Sequence, residues 1–62
     1  MKEKILEFLR LYPDSRKRGI RVGLDFITLT KMLDEMILEG SVVETLFEDS
    51  ANMDYYYIYN VA

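Results

Sequence analysis

Four cationic side chains stand within six residues of this sequence: Arg16, Lys17, Arg18 and Arg21. Gly19 lies among them, and a glycine backbone can come close to a ligand because it has no side chain. Clustered lysine and arginine cations bind phosphate groups, which supply most of the non-specific affinity for nucleic acids. The alternative is that the four cations are solvated and offset the acidic part of the same molecule. We call residues 16–21 the basic segment and expect it to contact phosphates if the protein binds DNA.

The side chains that most enzymatic reactions need are absent or badly placed. The chain has no histidine and no cysteine, so its serines lack an imidazole base and no thiolate nucleophile exists. Asp34 and Glu35 are adjacent acids, but adjacent positions on a helix do not face each other. The missing residues are also the usual nitrogen and sulfur ligands of metal ions. The sequence therefore predicts a non-enzymatic protein with no catalytic residues and no cofactor.

Oxygen ligands suited to calcium occur at short spacing in one segment, which contains Glu48, Asp49, Asn52 and Asp54. A calcium-binding loop of the EF-hand type also needs a central glycine and a terminal bidentate glutamate, and this segment has neither. Its small polar residues are typical of a turn between two strands. We therefore expect a solvated hairpin turn and no metal site.

The longest predicted element is a helix between Asp25 and Gly40. Its apolar side chains recur at i, i+3, i+4, i+7 and i+8, which places them on one helical face: Leu29, Met32, Leu33, Met36 and Ile37. Asp25 can cap the first turn by accepting hydrogen bonds from free backbone N–H groups. Gly40 can end the helix in the left-handed conformation, which other residues adopt only at a steric cost.

A second amphipathic helix is predicted before this one. Residues 2–12 follow the helical period, and Pro13 ends the helix because the residue before a proline is driven out of the helical conformation. The segment that follows contains two glycines within five residues, which argues against a stable helix there. It allows either one short helical turn or a brief strand at 20–22, where apolar residues alternate with Arg21 and Gly23.

A β-hairpin is predicted after the long helix. β-Forming residues indicate strands at about 42–48 and 54–60, joined by the acidic turn. Side chains in a strand alternate between its two faces, so Tyr55, Tyr57 and Tyr59 share one face of the last strand. We expect Tyr56 and Ile58, on the other face, to pack against the helices.

A helix that ends in Glu39–Gly40 and runs directly into a β-hairpin resembles the recognition helix and wing of the winged-helix (winged helix-turn-helix) family. The resemblance extends over residues 2–60 and implies a single small α+β domain, with two main helices followed by a C-terminal hairpin. The chain departs from the family pattern between these helices. About a dozen residues remain there, so the second helix of the motif is shortened or replaced by a strand.

The resemblance also implies that DNA lies against the outward, N-terminal side of the second long helix. Thr30 and Lys31 are suited to base edges or phosphates at that position. With the basic segment they form the expected DNA-binding set, which consists of Arg16, Lys17, Arg18, Arg21, Thr30 and Lys31. The predicted hairpin contains no arginine or lysine, whereas a wing that contacts DNA is usually basic.

Composition and charge limit the setting in which the protein acts. Its 62 residues suffice for one domain, and half of them are hydrophobic, which is typical of a globular chain. Net charge is +4 over residues 1–24 and −7 over residues 25–62, so the two parts of the surface are expected to prefer different partners. The lack of cysteine favours the reducing cytoplasm. We expect no membrane partner, because neither a membrane span nor a signal peptide is evident.

Two functions from different classes fit these observations. The first is a small DNA-binding transcriptional regulator of winged-helix type, with double-stranded DNA as its partner. The second is an acidic winged-helix-like module that binds a protein and not DNA, through Leu38, Tyr55, Tyr57 and Tyr59. Tyrosine is favoured at interfaces because a large apolar ring carries a hydroxyl that tolerates water. Self-association would also stabilise so small a core, so we expect a homodimer.

Overall fold

The computed structural model describes all 62 residues, Met1–Ala62. The chain forms, in order, α1 Lys2–Leu11, a 3₁₀ turn Lys17–Gly19, α2 Phe26–Glu39, β1 Val42–Asp49 and β2 Asp54–Val61. The two strands pair antiparallel in a two-stranded sheet. The predicted α+β fold, with two helices followed by a hairpin, is therefore confirmed. Neither helix is both long enough and apolar enough to cross a membrane.

Both predicted ends of α2 are confirmed. The Asp25 carboxylate accepts hydrogen bonds from the Thr28 backbone N–H over 3.0 Å and from the Thr28 hydroxyl over 2.7 Å. At the other end Gly40 has φ 84° and ψ 11°, which is the left-handed conformation. The Gly40 N–H then donates to the carbonyl of Ile37, and the Ser41 N–H donates to that of Met36. These bonds satisfy carbonyl groups that the end of a helix leaves free.

Helix α1 lies against α2 and the hairpin and buries Ile5 and Leu9. Its first residue also forms the two ion pairs of the chain. The Lys2 ammonium lies 3.3 Å from a carboxylate oxygen of Glu35 and 2.6 Å from one of Glu39. The hydrogen bond to Glu39 raises the pKa of Lys2, against an opposing effect of partial desolvation. These contacts join the start of α1 to the last turns of α2.

The core is thin. It consists of eight buried side chains drawn from every element except the 3₁₀ turn: Ile5, Leu9, Ile20, Leu29, Leu33, Met36, Val42 and Tyr59. Half-buried apolar residues surround this set, and no charged side chain is buried within it. A domain of this size buries a smaller fraction of its surface than a larger domain does, so each of the eight side chains carries a large share of the stability.

The predicted orientation of β2 is wrong. Tyr59 is 2% exposed and belongs to the core, whereas Tyr56 and Ile58 are only half-buried on the opposite face. The physical reason is that the helices cover the base of the hairpin and not its tip. At the base the face that bears Val42 and Tyr59 is buried, and farther along the same face Tyr57 is exposed.

The brief strand suggested at 20–22 is not confirmed. The chain forms the 3₁₀ turn just before this point, and Ile20 enters the core from an extended residue that pairs with no strand. Pairing with β2 occurs earlier, at Ser15, whose carbonyl accepts from the Tyr59 N–H over 2.8 Å. The single bridge at Ser15 therefore occupies the outer edge of β2, and no third strand forms at 20–22.

Candidate functional site

The basic segment is held in place from its N-terminal side by β2. Beside the Ser15 bridge, the Asp14 N–H donates to the side-chain oxygen of Asn60 over 2.7 Å, and the Asn60 amide donates to the Asp14 carboxylate over 2.9 Å. Asp14 has φ 60°, a conformation that few residues other than glycine adopt, with aspartate and asparagine among the exceptions. These bonds fix the chain along the outer edge of β2 before the 3₁₀ turn begins.

Three cations of the basic segment lie over aromatic rings. The guanidinium carbon of Arg16 is 3.4 Å from the centre of the Tyr56 ring, and that of Arg18 is 5.2 Å from the centre of the Phe26 ring. The Lys17 ammonium lies 5.7 Å from the Phe26 ring and 5.9 Å from the Tyr59 ring. A cation within about 6 Å of a ring is attracted to the negative ring face. The 3₁₀ turn thus places the cations between β2 and the start of α2.

None of these cations forms an ion pair with a carboxylate, because both ion pairs of the chain involve Lys2, although the charge of Arg16 helps to lower the pKa of Asp49. The guanidinium carbon of Arg16 lies over the Tyr56 ring, and the group has five N–H donors in its plane with which it can bind an anion. The cations therefore stay available to an anion even though their positions are fixed. This availability separates the basic segment from an ordinary set of surface ion pairs.

Two adjacent clefts flank the cations. The first has a volume of about 340 Å³ and is lined by Arg16, Lys17, Arg18, Phe26, Tyr56, Tyr57 and Tyr59. We call it the basic–aromatic cleft. The second, of about 450 Å³, shares Lys17, Arg18 and Phe26 with the first and adds Arg21, Gly23 and apolar residues of the segment before α2. The sequence identified the cations, but it did not identify Phe26 and Tyr56 as their ring partners.

The expected DNA-contacting residues of α2 lie outside both clefts. Thr30 is half-buried, and its hydroxyl donates to the Phe26 carbonyl over 2.8 Å. Lys31 is exposed and contributes to neither cleft. Two carboxylates of the same helix, those of Glu35 and Glu39, are partly neutralised by Lys2. The structure therefore brings together the residues of the basic segment but does not gather Thr30 and Lys31 with them.

The residues expected to form a protein-binding surface are separated. Leu38 is 89% exposed near the base of the hairpin, whereas Tyr55 is 70% exposed next to its turn. About 20 Å of strand lies between these levels, at some 3.3 Å per residue. Tyr57 is 50% exposed and borders the basic–aromatic cleft. The inclusion of Tyr59 is wrong, because its side chain is buried in the core and cannot meet a partner.

The acidic turn has a structural role within the hairpin. One oxygen of Asp49 accepts from the N–H groups of Ala51 and Asn52, and the other accepts from the Asn52 amide over 2.8 Å. The bond from the Asn52 side chain is the main reason that the pKa of Asp49 is lowered. No three acidic side chains of the chain converge where a metal ion could bind.

Comparison of the chain with protein-family models, with curated proteins and with solved structures finds no match.

Proposed function

We propose that this protein is a non-enzymatic nucleic-acid-binding module, a small transcriptional regulator of winged-helix type that contacts double-stranded DNA through its basic segment. The observation that supports the proposal is the position of Arg16, Lys17 and Arg18, which form no ion pair with a carboxylate and lie beside the start of α2. Cations in fixed positions bind phosphates without first giving up salt bridges within the protein.

In this proposal the 3₁₀ turn contacts the DNA backbone and sets the position of the protein on the duplex. The exposed side of α2 then faces the groove, with Lys31 as its one cation. Phosphate contacts determine affinity and carry no sequence information, whereas a side chain at base edges determines specificity. In this proposal affinity therefore comes from the cations of the basic segment, Arg16, Lys17, Arg18 and Arg21, and specificity comes from Lys31.

The test is a titration of labelled duplex DNA followed by fluorescence anisotropy over a range of salt concentrations. The double variant Arg16→Ala/Arg18→Ala should weaken binding to all sequences alike and reduce the slope of log K against log salt by about 2, at about 0.9 per phosphate contact. The double variant Lys4→Ala/Arg10→Ala removes the same charge from exposed positions on α1 and is the matched control. Equal slopes in the two variants would refute contact through the basic segment.

Lys31→Ala is the companion variant for specificity. It should change the preference among duplex sequences more than the general affinity, because the side chain is expected to reach base edges. A uniform loss of affinity across sequences would assign Lys31 to the phosphate backbone. Absence of measurable binding of the unmodified protein to any duplex at low salt would refute the proposed function.

A second candidate function is protein binding through the hairpin, and exposed apolar side chains on both of its faces favour it. Leu46 and Tyr57 are paired on one face, and Phe47 and Tyr56 are paired on the other. The helices cover neither pair, because they reach only the base of the hairpin. Sedimentation equilibrium tests whether a second copy of the chain covers these residues.

A further inference from the structure

We propose that the basic–aromatic cleft also binds an unpaired nucleotide, so that the cations that contact the phosphates of a duplex hold a single strand as well, and hold it more tightly. The inference rests on the proposed nucleic-acid binding and specifies its ligand. The cleft brings the 3₁₀ turn and the first residue of α2 together with the middle of β2, which is distant from both in sequence. A ligand of the cleft must therefore offer an anionic group to the cations and a flat or apolar group to the aromatic rings.

The aromatic side chains of the cleft have no role in contact with duplex DNA. Phe26 is 49% exposed and Tyr57 is 50% exposed, and the Tyr57 ring has no aromatic or cationic partner within the protein. In a duplex the faces of the bases are covered by their neighbours, so a protein meets only phosphates, sugars and base edges. An unpaired base has a free π-face, and it can stack on an exposed aromatic ring whatever its sequence.

The cations of the cleft are arranged to hold the phosphates on either side of such a base. Lys17 and Arg18 lie over Phe26, and Arg16 lies over Tyr56, so each of these cations stands beside an aromatic ring of the cleft. A positively charged groove that also offers aromatic rings is the usual construction of single-strand binding sites. The adjacent cleft, where Arg21 and Gly23 lie, continues the same positively charged surface.

Acidic groups limit this surface on its other side, so the positively charged surface around the cleft is short. The hydroxyl of Tyr59 is bonded to Glu44, and the charge of Asp34 is close enough to help raise the pKa of Tyr59. These two carboxylates would repel phosphates on their own side of the cleft, so the single strand that the cleft holds spans only a few nucleotides. A short single strand that crosses the 3₁₀ turn avoids them.

The test compares two fluorescein-labelled probes under identical low-salt conditions by anisotropy: a short oligothymidylate and a blunt duplex of mixed sequence. The oligothymidylate should bind more tightly to the unmodified protein. Tyr57→Leu retains apolar bulk but loses the ring, and it should weaken oligothymidylate binding by roughly 5- to 100-fold, since one stacked base contributes about that factor. Tyr12→Leu alters an exposed tyrosine outside both clefts and should leave the affinity unchanged.

The outcomes separate failure of this inference from failure of the proposed function. Tighter binding of the duplex, or equal effects of Tyr57→Leu and Tyr12→Leu, would overturn the unpaired-base site and leave duplex recognition standing. No binding of either probe would overturn both proposals. Thermal unfolding of each variant verifies that it is folded. If Tyr57→Leu is not, Phe26→Leu tests the same cleft from α2, and its failure to weaken oligothymidylate binding would overturn the inference.

Discussion

Tyr59 donates its hydroxyl hydrogen to a carboxylate oxygen of Glu44 over 2.7 Å, between directly paired positions of β1 and β2. The ring fills the core, while its hydroxyl reaches the rim, where Glu44 is exposed. Burial is the largest cause of the raised pKa of Tyr59, and the bond to Glu44 and the charge of Asp34 raise it further. The phenol therefore stays protonated in the native protein where it would ionise in the unfolded chain.

This relationship predicts how stability depends on alkaline pH. Above about pH 10 the unfolded chain releases the Tyr59 proton and the native protein retains it, so ionisation favours unfolding and stability falls as pH rises. Tyr59→Phe should lose less free energy of unfolding than the unmodified protein between about pH 9 and about pH 11, as measured by urea denaturation. An equal loss in both proteins would show that the phenol ionises alike in the two states.

Periodicity assigned Tyr55, Tyr57 and Tyr59 to one face of the strand, and the strand register confirms this. What periodicity did not predict is that the helices cover only the base of the hairpin, so that burial changes along one face. That boundary depends on how α1 and α2 pack at long range, and the spacing of apolar residues carries no information about it. For this reason the prediction that Tyr59 is exposed is wrong. It treats the whole face of the strand alike, so that Tyr59 is grouped with the exposed Tyr55 and Tyr57.

Gly40 supplies a test of the left-handed end of α2. A Cβ at this position would meet no atom within 4 Å, so the cost of Gly40→Ala comes from the backbone conformation alone. We expect a loss of about 1 kcal/mol and a midpoint of thermal unfolding about 4–8 °C lower. Gly19→Ala is the matched control, because the added Cβ again meets nothing and no left-handed φ is involved. Equal stability of the two variants would show that the left-handed conformation of Gly40 is not the cause of the loss.

The cap at Asp25 predicts a dependence on acidic pH. Hydrogen bonds from the Thr28 side chain and backbone lower the pKa of Asp25 below its ordinary value of 3.8. Because the pKa of Asp25 is lower in the native protein than in the unfolded chain, its carboxylate stabilises the fold when the pH is above the pKa of the unfolded chain. This contribution is lost as the pH falls through the pKa of the native protein. Asp25→Asn keeps a capping oxygen that does not titrate. The free energy of unfolding of the variant should therefore fall less than that of the unmodified protein between about pH 5 and about pH 2. An identical fall in both proteins would show that titration of the Asp25 carboxylate does not contribute to the acid dependence.

The candidate site was predictable only in its charge. Arg16, Lys17 and Arg18 stand together in the sequence, so their clustering required no knowledge of the fold. Their contacts with Tyr56 and Phe26 depend on the Ser15 bridge to β2 and on the position of the 3₁₀ turn beside α2. Such contacts between distant parts of the chain leave no periodic signal. The sequence gives no sign that Phe26, an exposed aromatic residue at the start of α2, is a ring partner of Lys17 and Arg18.

The exposed hairpin leads to the last prediction, which is a homodimer through the face of the sheet that bears Phe47. On this face Phe47 packs against Tyr56 with ring centres 5.3 Å apart, and Thr45 lies opposite Ile58. The other face carries Glu44 and Glu48 along the strand, where they would repel their copies across a two-fold axis, whereas the acids of the Phe47 face, Asp49 and Asp54, lie only beside the turn. A dimer through the Phe47 face would leave Tyr57 exposed on the opposite face, but it would bring Tyr56 and the Arg16 that lies over it to the edge of the interface.

Sedimentation equilibrium over a range of protein concentrations measures this association against the chain mass of 7.4 kDa. Phe47→Lys should shift the equilibrium to monomer, because it places a charge at the centre of the apolar face. Leu46→Lys makes the same change at the neighbouring position, whose side chain points to the opposite face, and it should leave the dimer intact. Dissociation by Leu46→Lys alone would move the interface to the face of Tyr57. A mass that remains at 7.4 kDa at every concentration would refute the dimer. It would mean that both exposed apolar faces of the hairpin are solvated in the monomer.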